Sequence, residues 1–180
     1  MELSHPRVGS RLLSKVLGVS AFTVLLCFAS LIKIPLPFTP VPVTLQNLVV
    51  LLAASALGAR LGLASVGLYL GMGVLGVPLF ANAGSGILYL FGPTAGYLFG
   101  FLFAVWLVAS LLQSVNRKNF FVCYAVMMTG LLSIYFMGGM WLAIGYGWDL
   151  AQIVYMGVLP FVAGDIIKAF IAALVCQKIK

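Results

Sequence analysis

Residues 150–176 read LAQIVYMGVLPFVAGDIIKAFIAALVC, an apolar stretch interrupted by two charges, Asp165 and Lys168. The stretch exceeds the about 20 apolar residues that a membrane-spanning helix needs. A charge at membrane depth costs about 2.5–3.5 kcal/mol, so such residues usually serve a function. Three residues apart on a helix, the two side chains share a face. We therefore expect them to point into a helix bundle, with a purely structural ion pair as the alternative.

The composition of the whole chain is that of an integral membrane protein. Of its 180 residues, 63% are hydrophobic and 7% are charged, and the mean hydropathy is +1.19. A soluble domain carries about 25% charged residues. The net charge of +7 comes from basic residues at the ends of apolar segments, which indicates membrane topology and not nucleic-acid binding. The three cysteines lack metal-binding spacing, so neither a metal site nor a cofactor is expected.

Six apolar segments predict an all-α membrane protein, with residues 1–180 forming a single six-helix domain. Ten-residue alternating segments, as in membrane β-barrels, are absent from the sequence. The predicted spans are about Leu12–Ile32, Val43–Ala59, Leu61–Val77, Pro93–Leu112, Phe120–Ile144 and Leu150–Cys176. Arg60 and the glycines around it predict a tight turn between the second and third spans. Pro93 fits the first turn of its helix, and Pro160 predicts a kink before Asp165.

Two segments between the spans are not expected to be helical. Residues 34–42 contain four prolines, which break helices, and we interpret them as a rigid outer loop that could also cover a cavity. Residues 78–91 are rich in glycine and carry no charge. They are too polar for a lipid-facing helix, so we place them in a second outer segment.

The basic residues predict the orientation of the chain. Six spans put both termini on one side, and that side carries eight basic residues against Lys33 alone on the other. Because cytoplasmic loops are enriched in Lys and Arg, both termini are expected in the cytoplasm, with the chain in the plasma (inner) membrane. The eight residues are Arg7, Arg11, Lys15, Arg60, Arg117, Lys118, Lys178 and Lys180.

Small residues at four-residue spacing predict close helix packing. Glycines recur in this way at positions 92, 96 and 100, at 67 and 71, and at 58 and 62. A stripe of Ser10, Ser14 and Gly18 in the first span could instead contact another subunit. Residues 71–76, GMGVLG, match a dinucleotide fingerprint only formally, because no strand precedes them.

Two classes of enzyme are disfavoured by what surrounds Asp165. An intramembrane aspartyl protease needs two carboxylates in contact. Asp149 lies sixteen residues away, about 24 Å along a helix, and Glu2 lies in the N-terminal tail. The only histidine, His5, is also in that tail, which excludes a histidine-based site within the membrane.

The remaining polar residues predict one outward-facing cavity together with Asp165 and Lys168. Amides, hydroxyls and one ion pair among aromatic residues suit a small, mostly apolar ligand with a few hydrogen-bonding groups. Asn82 could instead form an Asx turn, and Gln46 could cap a helix or join two helices. The candidate residues are Gln46, Asn47, Asn82, Ser85, Thr94, Tyr97 and Trp141.

Three ordered segments give the chain a resemblance to the BioY family, the biotin-specific S components of energy-coupling factor (ECF) transporters. They are PVPVTLQ at residues 40–46, LFGPTAGYLFGF at 90–101 and PFVAGDIIKA at 160–169. The resemblance implies high-affinity capture of biotin from outside. It also implies coupling to a transmembrane T component and two ABC-type ATPases, or self-association if the chain acts alone.

The resemblance also suggests roles for the candidate residues. Asp165 and Asn82 would read the ureido ring, with Lys168 keeping Asp165 ionised or donating to the ligand itself. Tyr97 and Trp141 would pack near the bicycle, with Gln46 and Thr94 also in the site. Lys33 could attract the valerate carboxylate at the mouth. A proton-coupled secondary transporter that protonates Asp165 and a membrane enzyme remain the alternatives.

Overall fold

The computed structural model of the protein is mostly helical. It describes residues 8–115 and 119–179, without the side chains of residues 8–10 and 82. Five helical stretches of the described chain are long and apolar enough to cross a membrane, as expected for a multi-pass membrane protein. The elements are α1 (Val8–Leu31), β1 (Lys33–Ile34), β2 (Val43–Thr44), α2 (Gln46–Val74), 3-10 turns at Ala81–Ala83 and Ile87–Phe91, α3 (Ala95–Ser114), α4 (Phe120–Tyr146), α5 (Leu150–Gln152), a π-helical segment (Ile153–Val158) and α6 (Leu159–Cys176).

Several residues used in the sequence predictions lie outside the described part of the chain. Half of the basic residues that carry the orientation prediction are among them, so the structure does not address their position. These residues are Glu2, His5, Arg7, Arg117, Lys118 and Lys180.

Helix α2 reverses its direction at Gly58, whose φ of 73° and ψ of −177° are not helical. Two pairs of residues show the reversal. The Gln46 side chain donates to the Tyr69 hydroxyl at 2.8 Å, whereas 23 residues of straight helix would separate them by about 34 Å. A Cβ built on Gly62 would lie 3.3 Å from the Ala53 carbonyl oxygen. The predicted turn between the second and third spans is thus present, two residues before Arg60, and the two halves of α2 pack against each other.

Glycine brings α3 and α4 into close contact, as the spacing predicts. A Cβ on Gly96 would overlap the Cβ of Trp141, and one on Gly100 would lie 3.1 Å from the Cα of Ile134. Helix α3 therefore sits between α2 and α4, and α6 packs on α4 and α2. Gly67 and Gly71 differ from these glycines, because an added Cβ at either would meet nothing within 4 Å, so the prediction of close packing at this pair is wrong.

The two non-helical segments close one end of the bundle. The proline-rich residues connect β1 to β2, which pair in antiparallel register with Lys33 opposite Thr44. The glycine-rich segment is anchored by Phe80, which is fully buried. A Cβ on Gly73 would overlap the Phe80 ring, so this glycine of the formal fingerprint match is a packing residue.

The last predicted span begins and ends where expected, and its winding changes before Pro160. Asp149 caps its first turn, accepting from the Gln152 backbone N–H at 2.8 Å while the Gln152 side chain accepts from the Asp149 N–H. The π-helical segment follows, and α geometry resumes at Leu159 with Pro160 in the first turn. A π-bulge is an established cause of helix distortion. Helix α3, by contrast, begins at Ala95, two residues after Pro93, so the prediction that Pro93 lies in its first turn is wrong.

Candidate functional site

A cavity of about 530 Å³, open mouth included, lies beneath the proline-rich and glycine-rich segments. Side chains from the proline-rich loop, the glycine-rich segment and helices α2, α3, α4 and α6 form its wall. The lining residues are Val41, Pro42, Thr44, Gln46, Asn47, Ala81, Tyr89, Thr94, Tyr97, Leu98, Phe101, Tyr135, Phe161, Asp165 and Lys168.

The carboxylate of Asp165 is the centre of the polar part of this wall. Its Oδ1 accepts from Lys168 Nζ at 2.6 Å. Its Oδ2 accepts from Asn47 Nδ2 at 2.7 Å and from the Tyr135 hydroxyl at 2.6 Å. Asp165 is 1% exposed and Lys168 is 6% exposed. Three helices therefore place donors on one buried carboxylate, which meets the requirement that a buried charge be paired and hydrogen-bonded.

The local sequence explains how each partner reaches Asp165. Lys168 lies one turn further along α6, so the pair shares a face, as the spacing predicts. Asn47 is the second residue of α2 and Gln46 the first. Consecutive helical side chains point about 100° apart, which directs Asn47 to α6 and Gln46 to Tyr69 of the other half of α2. Gln46 and Asn47 could exchange these partners only if α2 rotated about its own axis.

Gln46 and Tyr97 line the cavity while they hold the bundle together. Gln46 is buried and donates to the Tyr69 hydroxyl, which donates onward to the Leu79 carbonyl at 3.2 Å. The Tyr97 hydroxyl donates to the Gly157 carbonyl in the π-helical segment at 2.7 Å. Interhelical hydrogen bonding, the alternative interpretation of Gln46, is thus part of its role. Thr94 also lines the cavity.

Two predicted site residues are not placed in the cavity wall. Trp141 lies outside it, where its indole N–H donates to the Gly92 carbonyl at 3.0 Å and its ring packs near Phe99. It secures the start of α3 against α4. The side chain of Asn82 lies outside the described residues, although its backbone belongs to the 3-10 turn Ala81–Ala83 and the neighbouring Ala81 lines the cavity.

The sequence does not predict Tyr135 as a residue of the site, and it does not predict which group Asn47 contacts. Tyr135 is one of seven tyrosines, and an apolar helix gives no periodic signal that singles it out. Asn47 offered a stronger signal, because an amide in the first turn of an apolar helix needs a partner. Only the arrangement of α2, α4 and α6 identifies that partner as Asp165.

The chemistry of the cavity favours binding of a neutral polar group beside the ion pair over catalysis. The ammonium of Lys168 balances the carboxylate of Asp165. Within the described residues, no group of three or more His, Cys, Asp or Glu side chains could hold a metal ion. The wall around the charges is apolar and aromatic, with Leu98, Phe101 and Phe161 facing the same space. This arrangement suits a small molecule with a polar head and an apolar body.

Known proteins share both the sequence and the fold of this chain. It is 38% identical to the probable biotin transporter BioY of Pyrococcus horikoshii, over 82% of this chain and 86% of that protein. It is 35% identical to the biotin transporter BioY of Thermotoga maritima, over 92% of this chain and 95% of that protein. The crystal structure of the S-component for biotin from an ECF-type ABC transporter superposes with a TM-score of 0.87, at 26% identity, over 94% of this chain and 92% of the other.

The match to a family model spans nearly the whole sequence. The BioY family model matches residues 4–180, which include the three segments that carry the resemblance. Those segments contain the proline-rich wall of the cavity, the start of α3 and the ion pair of α6. The chain therefore belongs to the BioY family.

Proposed function

We propose that this chain is the membrane-embedded biotin-binding subunit of an ECF-type vitamin transporter. It captures biotin from the outer side and releases it inside when coupled to a T component and two ABC-type ATPases. The observation that carries the proposal is the Asp165–Lys168 pair, which is buried in an apolar cavity and tied to Asn47 and Tyr135. Such a site binds a ligand and does not transform it.

Biotin matches the two parts of the cavity. Its ureido head presents one carbonyl acceptor and two N–H donors, and Lys168 keeps two ammonium protons beyond the one given to Asp165. Its fused ring is apolar, like Phe101 and Phe161 in the wall. We propose that the head sits by the ion pair, with the ring against Tyr97 and the aromatic side chains.

The valerate carboxylate would then extend to the mouth. Lys33 lies directly opposite Thr44 in the β1–β2 ladder. Directly opposed residues project to the same face of a sheet, and Thr44 lines the cavity. Lys33 is thus well placed to attract the carboxylate. Lys33→Ala should weaken the binding of biotin more than the binding of biotin amide, because the amide lacks that charge. Equal weakening of both would contradict the assignment.

We also infer that the two halves of α2 are separate short spans, which gives six crossings in a single domain. The reversal at Gly58 supports this inference, since the chain folds back before it could continue across. Six crossings place both termini on one side, and the basic residues favour the cytoplasm for that side, with the protein in the plasma (inner) membrane.

Thiol labelling tests this orientation. In a variant without native cysteines, Arg60→Cys and Phe38→Cys place single thiols at exposed positions in the α2 turn and the proline-rich loop. An impermeant maleimide added to intact cells should label only the second. Labelling of the first in intact cells would contradict the six-span topology.

Binding of radiolabelled biotin to purified protein tests the proposed function. We expect the unaltered chain to bind biotin tightly. Asp165→Asn should lower the affinity at least tenfold, because it disturbs the charged hydrogen bond with Lys168. Asp149→Asn is the matched control: it makes the same change at an exposed helix cap, where Asn caps as well as Asp. No binding by the unaltered chain would refute the function.

Uptake by cells separates this proposal from a proton-coupled transporter that uses Asp165. The proposed mechanism draws its energy from the two ATPases, and in the structure the carboxylate accepts hydrogen bonds from an ammonium and two neutral donors. Uptake should therefore fail on ATP depletion. Uptake that survives ATP depletion and collapses with an uncoupler would favour the proton-coupled mechanism.

A further inference from the structure

Three basic residues at the end of the bundle away from the cavity have no acidic partner in the described part of the chain. Arg11 and Lys15 lie on α1, Arg60 follows the reversal of α2, and all three are exposed. The acidic residues of the described ranges are Asp149, which caps the start of the last span, and Asp165 of the buried ion pair. Described groups of this chain therefore leave the charge of the three cations unbalanced.

The reversal of α2 lies at the opposite end of the bundle from the cavity. Asn47, in the cavity wall, precedes Gly58 by eleven residues, which is about 16 Å of helix. At the reversal α1 packs closely on α2, since a Cβ on Gly18 would lie 3.0 Å from Leu57 Cδ2. Gly18 thus marks the level on α1 at which the turn of α2 lies.

A second contact shows where Arg60 stands relative to α1. Both α1 and the second half of α2 run from this end towards the proline-rich and glycine-rich segments. The Thr23 hydroxyl donates to the Ser65 carbonyl at 3.1 Å. Thr23 is five residues after Gly18, and Ser65 is five residues after Arg60. Five residues of helix rise about 7.5 Å, so Arg60 lies about level with Gly18 along the bundle.

The side chains of Arg11 and Lys15 lie on the face of α1 that is turned to α2. They precede Gly18 by seven and three residues, and residues at these spacings share one face of a helix. A helical side chain leans towards the N-terminus of its helix, so both project towards the end of the bundle where Arg60 lies. Two helices thus bring three cations to the same end of their shared surface.

The surface around these cations is apolar. The first turns of α1 carry four apolar side chains that are each more than half exposed, Leu12, Leu13, Val16 and Leu17. They belong to the apolar span that begins at Arg11. A soluble anion would contact only the charges, and an acidic polar protein surface would leave the four side chains without apolar contact. An anionic lipid presents a phosphate joined to hydrocarbon chains, which matches both parts of this surface.

We propose that Arg11, Lys15 and Arg60 form a binding site for the phosphate headgroup of an anionic membrane lipid, whose acyl chains lie along the exposed start of α1. Basic pockets between membrane helices bind such headgroups. Arg60 can hold a phosphate through two parallel N–H donors, whereas Lys15 supplies a point charge. The site is separate from the cavity and goes beyond the proposed function, because the lipid would bridge α1 and the turn of α2.

Native mass spectrometry of the detergent-purified chain tests this site by titration with dioleoyl-phosphatidylglycerol or dioleoyl-phosphatidylcholine. The two lipids have identical acyl chains, and only the first carries a net charge. A Lys or Arg near an anionic lipid surface contributes about fivefold in affinity, so three of them predict about 100-fold tighter binding of the first phosphatidylglycerol. Arg11→Gln, Lys15→Gln and Arg60→Gln should each lower this preference about fivefold, and the triple variant should lose nearly all of it.

Lys178→Gln is the matched control. It removes an exposed cation that follows α6, ten residues beyond Lys168 of the cavity wall, and its effect should be less than twofold. An equal loss in this control would mean that net charge alone attracts the lipid, which overturns the site. Glutamine keeps helix propensity, so the triple variant should keep its Tm in detergent without added lipid. If it does not fold, the single variants decide, because each should still lose about fivefold.

Two further outcomes would overturn the proposal. If the unaltered chain binds both lipids equally, or if the triple variant retains the preference, the cations serve another purpose, such as contact with an acidic surface of another subunit. If an equal concentration of inorganic phosphate displaces the lipid, the cluster takes a soluble anion and not a headgroup. None of these measurements requires biotin, so failure of the proposed function would leave the test intact.

Discussion

The buried ion pair predicts a specific pattern of stability among three variants. Lys168→Met removes the ammonium and keeps a side chain of similar length, which leaves the Asp165 carboxylate without a counter-charge. Asp165→Asn removes the carboxylate and leaves the ammonium. The double variant removes both charges and keeps two side chains of about the original size, so that packing around α6 is conserved.

The geometry sets the expected magnitude. The pair is joined at 2.6 Å and its members are 1% and 6% exposed, so water does not compensate either charge when it is left alone. Breaking a buried pair costs about 3–5 kcal/mol, whereas replacing both partners is often nearly neutral. Asn47 and Tyr135 still donate to Asp165 in Lys168→Met, which puts its cost near the lower end. The double variant should therefore be more stable than either single variant.

Thermal unfolding in detergent can be followed through the chain's own thiols. Cys123 and Cys176 are 0% and 1% exposed, so a thiol-reactive fluorogenic dye reports their exposure on unfolding. For a chain of this size, about 3–5 kcal/mol corresponds to a fall in Tm of roughly 6–20 °C. Asp149→Asn should leave Tm unchanged, because it keeps a capping residue at an exposed helix start.

Two results would refute the reasoning. Single variants as stable as the unaltered chain would mean that water reaches the pair. Effects of the single variants that simply add in the double variant would mean that the charges do not interact, since coupled neighbours deviate from additivity by about 0.5–3 kcal/mol.

Three further predictions concern the packing of the bundle. Gly58→Ala should lower the free energy of unfolding by about 1–3 kcal/mol, because the backbone angles of Gly58 are open essentially to glycine alone. Gly67→Ala is the control, because its methyl would meet nothing within 4 Å. Equal Tm values for the two variants would contradict the reversal of α2 at Gly58. Gly96→Ala should cost about 1–3 kcal/mol by forcing its methyl against Trp141, and an unchanged Tm would show that α3 and α4 are not so close. Tyr97→Phe leaves the Gly157 carbonyl of the π-helical segment without its donor, which should lower the free energy of unfolding by about 1–3 kcal/mol. Hydrogen exchange should become faster in that segment. Unaltered protection there would contradict the Tyr97–Gly157 hydrogen bond.

Much of the site was predictable because the relevant signals are local. Asp165 and Lys168 lie three residues apart in an apolar helix, so their pairing needs no knowledge of the other helices. Hydropathy and proline content likewise predicted where the helical stretches and the segments between them lie. The proline-rich loop was expected to be able to cover a cavity, and Val41 and Pro42 do line its wall.

The remaining part of the site depends on helix rotation, which a sequence with little amphipathic pattern does not specify. Gln46 and Asn47 are adjacent amides, and sequence reasoning chose the first for the ligand. The structure turns Asn47 to Asp165 and Gln46 to Tyr69, and both amides line the cavity. Trp141 was expected beside the ligand, but its packing on Gly96 turns it away from the cavity wall.

Hydrophobicity and spacing along one helix are local properties, so they predict a helical membrane protein with one charged pair within a span. What surrounds that pair depends on the tertiary structure. Helices α2, α4 and α6 come from distant parts of the chain, and their packing joins Asn47 and Tyr135 to one carboxylate oxygen. A buried charge must be paired and hydrogen-bonded, and which donors lie within reach depends on how the helices pack.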